Sequence, residues 1–223
     1  MKLHTRKVFV DDETQVSCTW GIPEAFHGDV FALAHGAGND MNSPFLSFIH
    51  ESLADSGILT VKFNFPYKEL GRKAPDRGPR LEQTWRAVLQ QIRTHSPLPA
   101  KRIFTGGKSM GGRIASMVAA KGESLAGLVF LGYPLHPANK PDQLRVEHLR
   151  DIKCPMLFIQ GSRDRLCDLG LLEDAINALT TSVQLHVIEQ GDHSFKVPKR
   201  TGRSEQDIWN EISQTICTWM RQI

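Results

Sequence analysis

Ser109, Asp164 and His193 are the residues of this chain whose types, order and surroundings could do chemistry together. Ser109 lies in Gly107-Lys108-Ser109-Met110-Gly111, which fits G-x-S-x-G. In that pattern a serine tips a strained strand-to-helix turn and its hydroxyl stands clear of the sheet. The glycines are needed because any side chain there would collide with the neighbouring strand or helix. The helix that follows aims free N–H groups and partial positive charge at an anion forming beside Ser109. A serine hydroxyl is a weak nucleophile near neutral pH and needs a base. His193, in Gly191-Asp192-His193-Ser194-Phe195, would take its proton. Asp164, in Gly161-Ser162-Arg163-Asp164, would fix the imidazole tautomer and stabilise the imidazolium.

Each piece alone is ordinary. Histidines in polar loops are mostly solvated, and an aspartate after a strand is commonly a turn former. Asp168 and Asp192 compete with Asp164 for the acid's place. Asp168 stands where a helix begins and reads better as its N-cap, so the assignment goes to Asp164. A phosphate-binding loop is the rival for the glycine stretch, because Gly107-Lys108-Ser109 resembles the end of G-x-x-x-x-G-K-[ST]. The first glycine of that pattern would fall on Arg102, and the run Leu125 to Leu131 lacks the aspartate that would hold magnesium.

The elements that must position these residues follow from the hydrophobic pattern. Lys7 to Val10 and Gln15 to Trp20 read as a hairpin around Asp11-Asp12-Glu13. Asp29 to Ala34 is a continuous apolar run, the mark of a strand buried on both faces, and it ends in His35-Gly36-Ala37-Gly38. Ser43-Pro44 opens a helix, as N-cap and first-turn proline, with Phe45, Ile49 and Leu53 along one face. Ile58 to Phe65 is the next strand and Tyr67 to Pro79 a loop. Leu81, Trp85, Val88 and Ile92 mark a helix. Lys101 to Thr105 feeds Ser109, and an apolar helix runs from Ile114 to Ala120. Leu125 to Leu131, Met156 to Gln160 and Val183 to Ile188 are further strands. Helices are expected over Asp142 to Arg150, Leu169 to Leu179 and, closing the chain, Ile208 to Met220. Strands alternating with helices after an antiparallel start imply an α/β fold with a mainly parallel, doubly wound sheet and helices on both faces. Ser109, Asp164 and His193 then all lie past the carboxyl ends of strands, where open α/β sheets gather functional groups.

Composition sets the outer limits. The 223 residues are expected to form a single domain, 1–223, with a full core. Hydrophobic content of 40% and charged content of 23% are ordinary for a soluble protein, and no apolar run approaches a membrane span. Met1-Lys2-Leu3-His4-Thr5-Arg6 lacks a signal-peptide core, so a cytoplasmic location is expected. Cys18, Cys154, Cys167 and Cys217 are scattered, which fits free thiols and points to no metal site. No cofactor is implied. A net charge of +3 is too mild to argue for nucleic acid, which leaves a small-molecule acyl substrate as the expected partner and the oligomeric state open.

The order Ser, Asp, His is that of an α/β-hydrolase. The chain resembles the small, dienelactone-hydrolase-like kind over nearly its whole length. The resemblance runs from His35-Gly36-Ala37-Gly38 through Phe63-Asn64-Phe65-Pro66-Tyr67 and the serine turn to Gly191-Asp192-His193-Ser194-Phe195. Phe63 to Tyr67, followed by Gly71-Arg72-Lys73-Ala74-Pro75, is similar to a subgroup named for a testis-expressed protein and an NSL-complex subunit. Dienelactone hydrolases proper use cysteine where this chain has Ser109, which argues against that reaction. The resemblance implies a serine hydrolase and fixes no substrate. An oxyanion hole of the backbone N–H groups of Ala37 and Met110 is expected, with His35 bracing the loop.

The reading is therefore a lidless esterase or thioesterase-like serine hydrolase working through an acyl-Ser109 intermediate. Only about twenty residues separate Tyr133-Pro134 from Met156, which leaves no space for a lid domain. The alternative is a binding or scaffold protein that keeps the fold without turnover. Lys68, Arg72, Lys73 and Arg77 follow the strand ending at Phe65 and are expected on the same rim as Ser109, with Lys108, Lys196, Lys199 and Arg200 nearby. Arg72, Lys73 and Arg77 are thus candidate binders of an anionic substrate.

Overall fold

The computed structural model describes residues 1–223. Eight strands form one sheet: β1 (Lys2–Phe9), β2 (Gln15–Ile22), β3 (Asp29–Ala34), β4 (Leu59–Phe63), β5 (Arg102–Lys108), β6 (Gly127–Leu131), β7 (Met156–Gly161) and β8 (Val183–Ile188). Their order across the sheet is β1-β2-β4-β3-β5-β6-β7-β8. β1 pairs antiparallel with β2, and β2 antiparallel with β4; every other pairing is parallel. The helices are α1 (Pro44–Asp55), α2 (Pro66–Glu69), α3 (Gly78–His95), α4 (Met110–Ala120), α5 (Leu169–Asn177) and α6 (Glu205–Gln222).

Two cores, one on each face of the sheet, follow from the period of two along the strands. Val30, Ala32 and Ala34 of β3 face Trp85 of α3, Ile114 of α4 and Leu172 of α5. Phe31 and Leu33, between them, face Ile49 and Leu53 of α1 and Ile212 and Ile216 of α6. β7 divides in the same way, Met156 and Phe158 to one side and Leu157 and Ile159 to the other. Each of the larger of these side chains (Val, Leu, Ile, Phe or Met), fully buried, is worth about 1.5–3 kcal/mol. This is why the central strands read as unbroken apolar runs.

Several boundaries differ from the sequence reading. β1 starts at Lys2, because a hairpin edge strand exposed along most of its length carries no apolar alternation to reveal it. β4 spans Leu59–Phe63, shorter than Ile58 to Phe65, since Pro66 and the preceding Phe65 open α2 inside the expected loop. The helix expected over Asp142 to Arg150 is one 3₁₀ turn at Glu147–Asp151. Ser43 precedes Pro44 as expected, yet its hydroxyl makes no capping bond. Residues 132–155, between β6 and β7, hold that 3₁₀ turn and no inserted domain.

Candidate active site

β5 ends in a turn that leaves Ser109 at φ 51° and ψ −116°, a conformation that costs a non-glycine residue about 1–3 kcal/mol. Close packing holds it there. A Cβ on Gly107 would stand 2.5 Å from the Ala34 carbonyl oxygen, and one on Gly111 2.6 Å from the same atom. The Ser109 N–H donates to the Leu131 carbonyl at 3.1 Å, and the Trp85 indole N–H donates to the Gly111 carbonyl at 3.2 Å. The turn is thus tied to β6 on one side and α3 on the other.

The three expected residues meet. His193 Nε2 lies 2.9 Å from Ser109 Oγ, and His193 Nδ1 lies 2.7 Å from Asp164 Oδ2. The Asp164 carboxylate is sealed from solvent, whereas the imidazole keeps 27% of its surface exposed. A buried carboxylate needs its lone pairs filled. Asp164 Oδ1 accepts the Leu166 N–H at 2.8 Å, and Oδ2 also accepts the Gln160 amide at 2.6 Å. The Gln160 carbonyl oxygen in turn accepts the Tyr133 N–H at 2.8 Å. Gln160 went unnoticed in the sequence, although a signal was present: it is a polar residue inside an otherwise apolar strand buried on both faces.

The competing aspartates have other work. Asp168 caps α5, its carboxylate accepting the Leu171 N–H at 3.0 Å. Asp192 Oδ1 accepts the N–H groups of Ser194 and Lys196 at 2.8 and 2.9 Å and so shapes the loop that carries His193.

The loop after β3 is braced by Phe65 and Tyr67, two of the residues that carried the subgroup resemblance. The His35 Nδ1–H donates to the Gly36 carbonyl at 2.8 Å, and its Nε2 accepts the Phe65 N–H at 3.1 Å. This leaves the ring neutral, and burial pulls its pKa down to about 4. The Tyr67 hydroxyl donates to the Ala37 carbonyl at 2.9 Å. The Ala37 N–H has no acceptor within the protein, and Met110, as the first residue of α4, has none within its helix.

Beside Ser109 opens a cavity of about 350 Å³ whose walls include Gly36, Phe45, Lys108, Lys196, Glu205 and Trp209. Arg72, Lys73 and Arg77 are not among its walls. Arg72 pairs with Asp76 at 2.5 Å, Lys73 is exposed on the loop between α2 and α3, and Arg77 sits at the N-cap of α3. No group of three His, Cys, Asp or Glu side chains is arranged to hold a metal ion. No helix is long and apolar enough to cross a membrane.

Residues 27–221 match the family model described as an alpha/beta hydrolase domain. The chain belongs to the α/β-hydrolase family. Among solved structures it is similar to an α/β serine hydrolase homologue from Coxiella burnetii, with a TM-score of 0.76 and 18% identity over 96% of both chains. A dienelactone hydrolase from Anabaena variabilis matches at a TM-score of 0.76 and 22% identity, over 99% of this chain and 97% of the other. A lidless α/β serine hydrolase from Xanthomonas campestris matches at 0.75 and 19%, over 98% and 95%. At these identities the likeness is one of fold. For an α/β-hydrolase, the antiparallel β1–β2 start and the parallel strands that follow are the expected frame.

Proposed function

We propose that this α/β-hydrolase is a serine hydrolase that cleaves an ester, thioester or similar acyl bond of a soluble substrate. The observation that carries the reading is the continuous hydrogen-bond chain from Ser109 Oγ through His193 to the sealed Asp164 carboxylate. His193 Nδ1–H donates to Asp164, so Nε2 is free to accept the Ser109 proton as Oγ attacks the acyl carbon. The carbonyl π electrons move to oxygen, and the N–H groups of Ala37 and Met110 receive that oxyanion. On collapse the C–O or C–S bond breaks, and the imidazolium returns its proton to the leaving group. Water, deprotonated by His193, then attacks acyl-Ser109 and frees the acid.

Labelling with a fluorophosphonate probe tests the reading without knowledge of the substrate. Wild-type protein is expected to be labelled at Ser109, and His193→Ala protein much more slowly. A folded wild-type protein that stays unlabelled would instead favour a scaffold or binding role. The anionic preference belongs to the same proposal; Arg72, Lys73 and Arg77 remain candidates for an outer rim. Lys108, which lines the cavity itself, carries it more directly.

A further inference from the structure

Lys108 precedes the nucleophile, and its side chain folds back under the His193 loop. Its ammonium donates to the His193 carbonyl at 2.5 Å and lies 5.2 Å from the centroid of the Phe195 ring. No carboxylate pairs with it, although Asp164 and Asp192 are near enough to favour its charge. An ammonium has three donors, and one bond to a carbonyl leaves two. A half-buried lysine without a counter-ion is uncommon, because desolvation of the charge is compensated only by a partner.

Lys108 is one of the residues lining the cavity beside Ser109. Gly36, another wall residue, brings the cavity up to the nucleophile: a Cβ there would stand 3.5 Å from Ser109 Cβ. Two of the wall residues, Phe45 and Trp209, are aromatic. Phe45 packs on Phe195 with centroids 5.5 Å apart and on Trp209 at 5.8 Å. Lys196 and Glu205, both at the mouth, face each other at 3.8 Å and offset one another, so Lys108 is left as the unbalanced charge. A cavity lined by two aromatic side chains and one cation without a carboxylate partner fits a ring bearing one negative charge.

We propose that this cavity receives an aryl carboxylate portion of the substrate, and that Lys108 is the residue that selects for its charge. The inference rests on the serine hydrolase reading for its biological use, and on the cavity alone for its binding chemistry. Lys108 therefore has two tasks: it ties the His193 loop to β5, and it offers its remaining N–H donors to the carboxylate.

Titration calorimetry with benzoate and with benzyl alcohol tests the proposal. Wild-type protein is expected to prefer benzoate by about tenfold or more, the worth of one charge-assisted hydrogen bond. Lys108→Met keeps the aliphatic stem and should remove the preference, whereas Lys108→Arg should keep it. Trp209→Ala should weaken both ligands alike. Circular dichroism establishes that each variant is folded. Equal or undetectable binding of the two ligands by wild-type protein would overturn the cavity's assignment, and a preference surviving in Lys108→Met would overturn the role of Lys108. Fluorophosphonate labelling separates this outcome from the parent reading. Labelled protein without benzoate preference loses the cavity proposal only; unlabelled protein that prefers benzoate loses the hydrolase reading only.

Discussion

The Gln160 side-chain amide lies 2.6 Å from Asp164 Oδ2, the same oxygen that faces His193 Nδ1. Gln160 therefore holds the carboxylate in the plane where the imidazole can use it. Gln160→Met preserves length and removes both of its polar contacts. It should lower kcat about tenfold with little change in KM. It should also cost about 1–3 kcal/mol of stability, because the Tyr133 N–H is left without an acceptor. Steady-state kinetics beside urea unfolding measures both. A stability loss with unchanged kcat would make Gln160 a core residue and nothing more.

Asp164 and Asp168, the two candidates for the acid's place, predict opposite outcomes. Asp164→Asn should remove the acceptor that fixes the His193 tautomer and lower kcat by about 10³-fold or more. Asp168→Asn retains an oxygen for the α5 cap, and Asp168→Ala should cost about 1 kcal/mol of stability with turnover nearly intact. Ser109→Ala and His193→Ala should each abolish most turnover, and the double variant should be little worse than either, because the pair acts as a unit. Additive losses would mean that the two residues act independently.

Two buried histidines should make the fold acid-sensitive. Burial pulls His35 and His50 each from 6.5 down to about 4. Both rings are sealed from solvent; His50 donates through Nε2 to the Thr19 carbonyl at 3.1 Å and leaves Nδ1 without a partner. The unfolded chain takes up protons at these sites below about pH 6.5, while the folded chain resists until about pH 4. Their stabilising effect is thus complete above pH 6.5 and is lost as pH falls from 6.5 toward 4. Each contributes a slope of about 1.4 kcal/mol per pH unit within that window. His148, which burial also draws down to about 4, is a third such site. Urea unfolding of His50→Gln should therefore show about two thirds of the wild-type slope between pH 6 and 5; an unchanged slope would assign the acid sensitivity elsewhere.

The sequence carried the frame and the three central side chains because both depend on strong local signals. Short unbroken apolar runs bounded by turn residues, such as Val30 to Leu33, read as strands covered on both faces, and Ser109, Asp164 and His193 each follow a strand of apolar character. What stayed hidden depends on side-chain direction. Lys108 reads as one more surface cation until its ammonium is seen folded beneath His193. Arg72 reads as part of a basic rim until Asp76 is found beside it. Phe65 and Tyr67 carry a family resemblance in sequence, whereas in the structure they brace His35 and Ala37. Short elements also escaped: four residues of α2 leave too little periodicity to separate from a loop.

The charge on Lys108 should give substrate selectivity its own pH dependence. Burial lowers the ammonium pKa to about 8, opposed by the nearby carboxylates of Asp164 and Asp192; His193, Lys196 and Glu205 are the other charged or titratable groups around it. A lysine loses its charge as pH rises through its pKa, so preference for an anionic substrate should be full near pH 7 and fade toward pH 9. The ratio of kcat/KM for 4-acetoxybenzoate to that for its methyl ester, read as acetate release, isolates this effect. Both esters need the same base, so the protonation of His193 cancels in the ratio. In wild-type protein the ratio should fall about tenfold across that range, the full worth of the charge-assisted bond. Lys108→Arg should hold it flat, because a guanidinium stays charged throughout. A decline of the same size in Lys108→Arg would show that another group sets the selectivity.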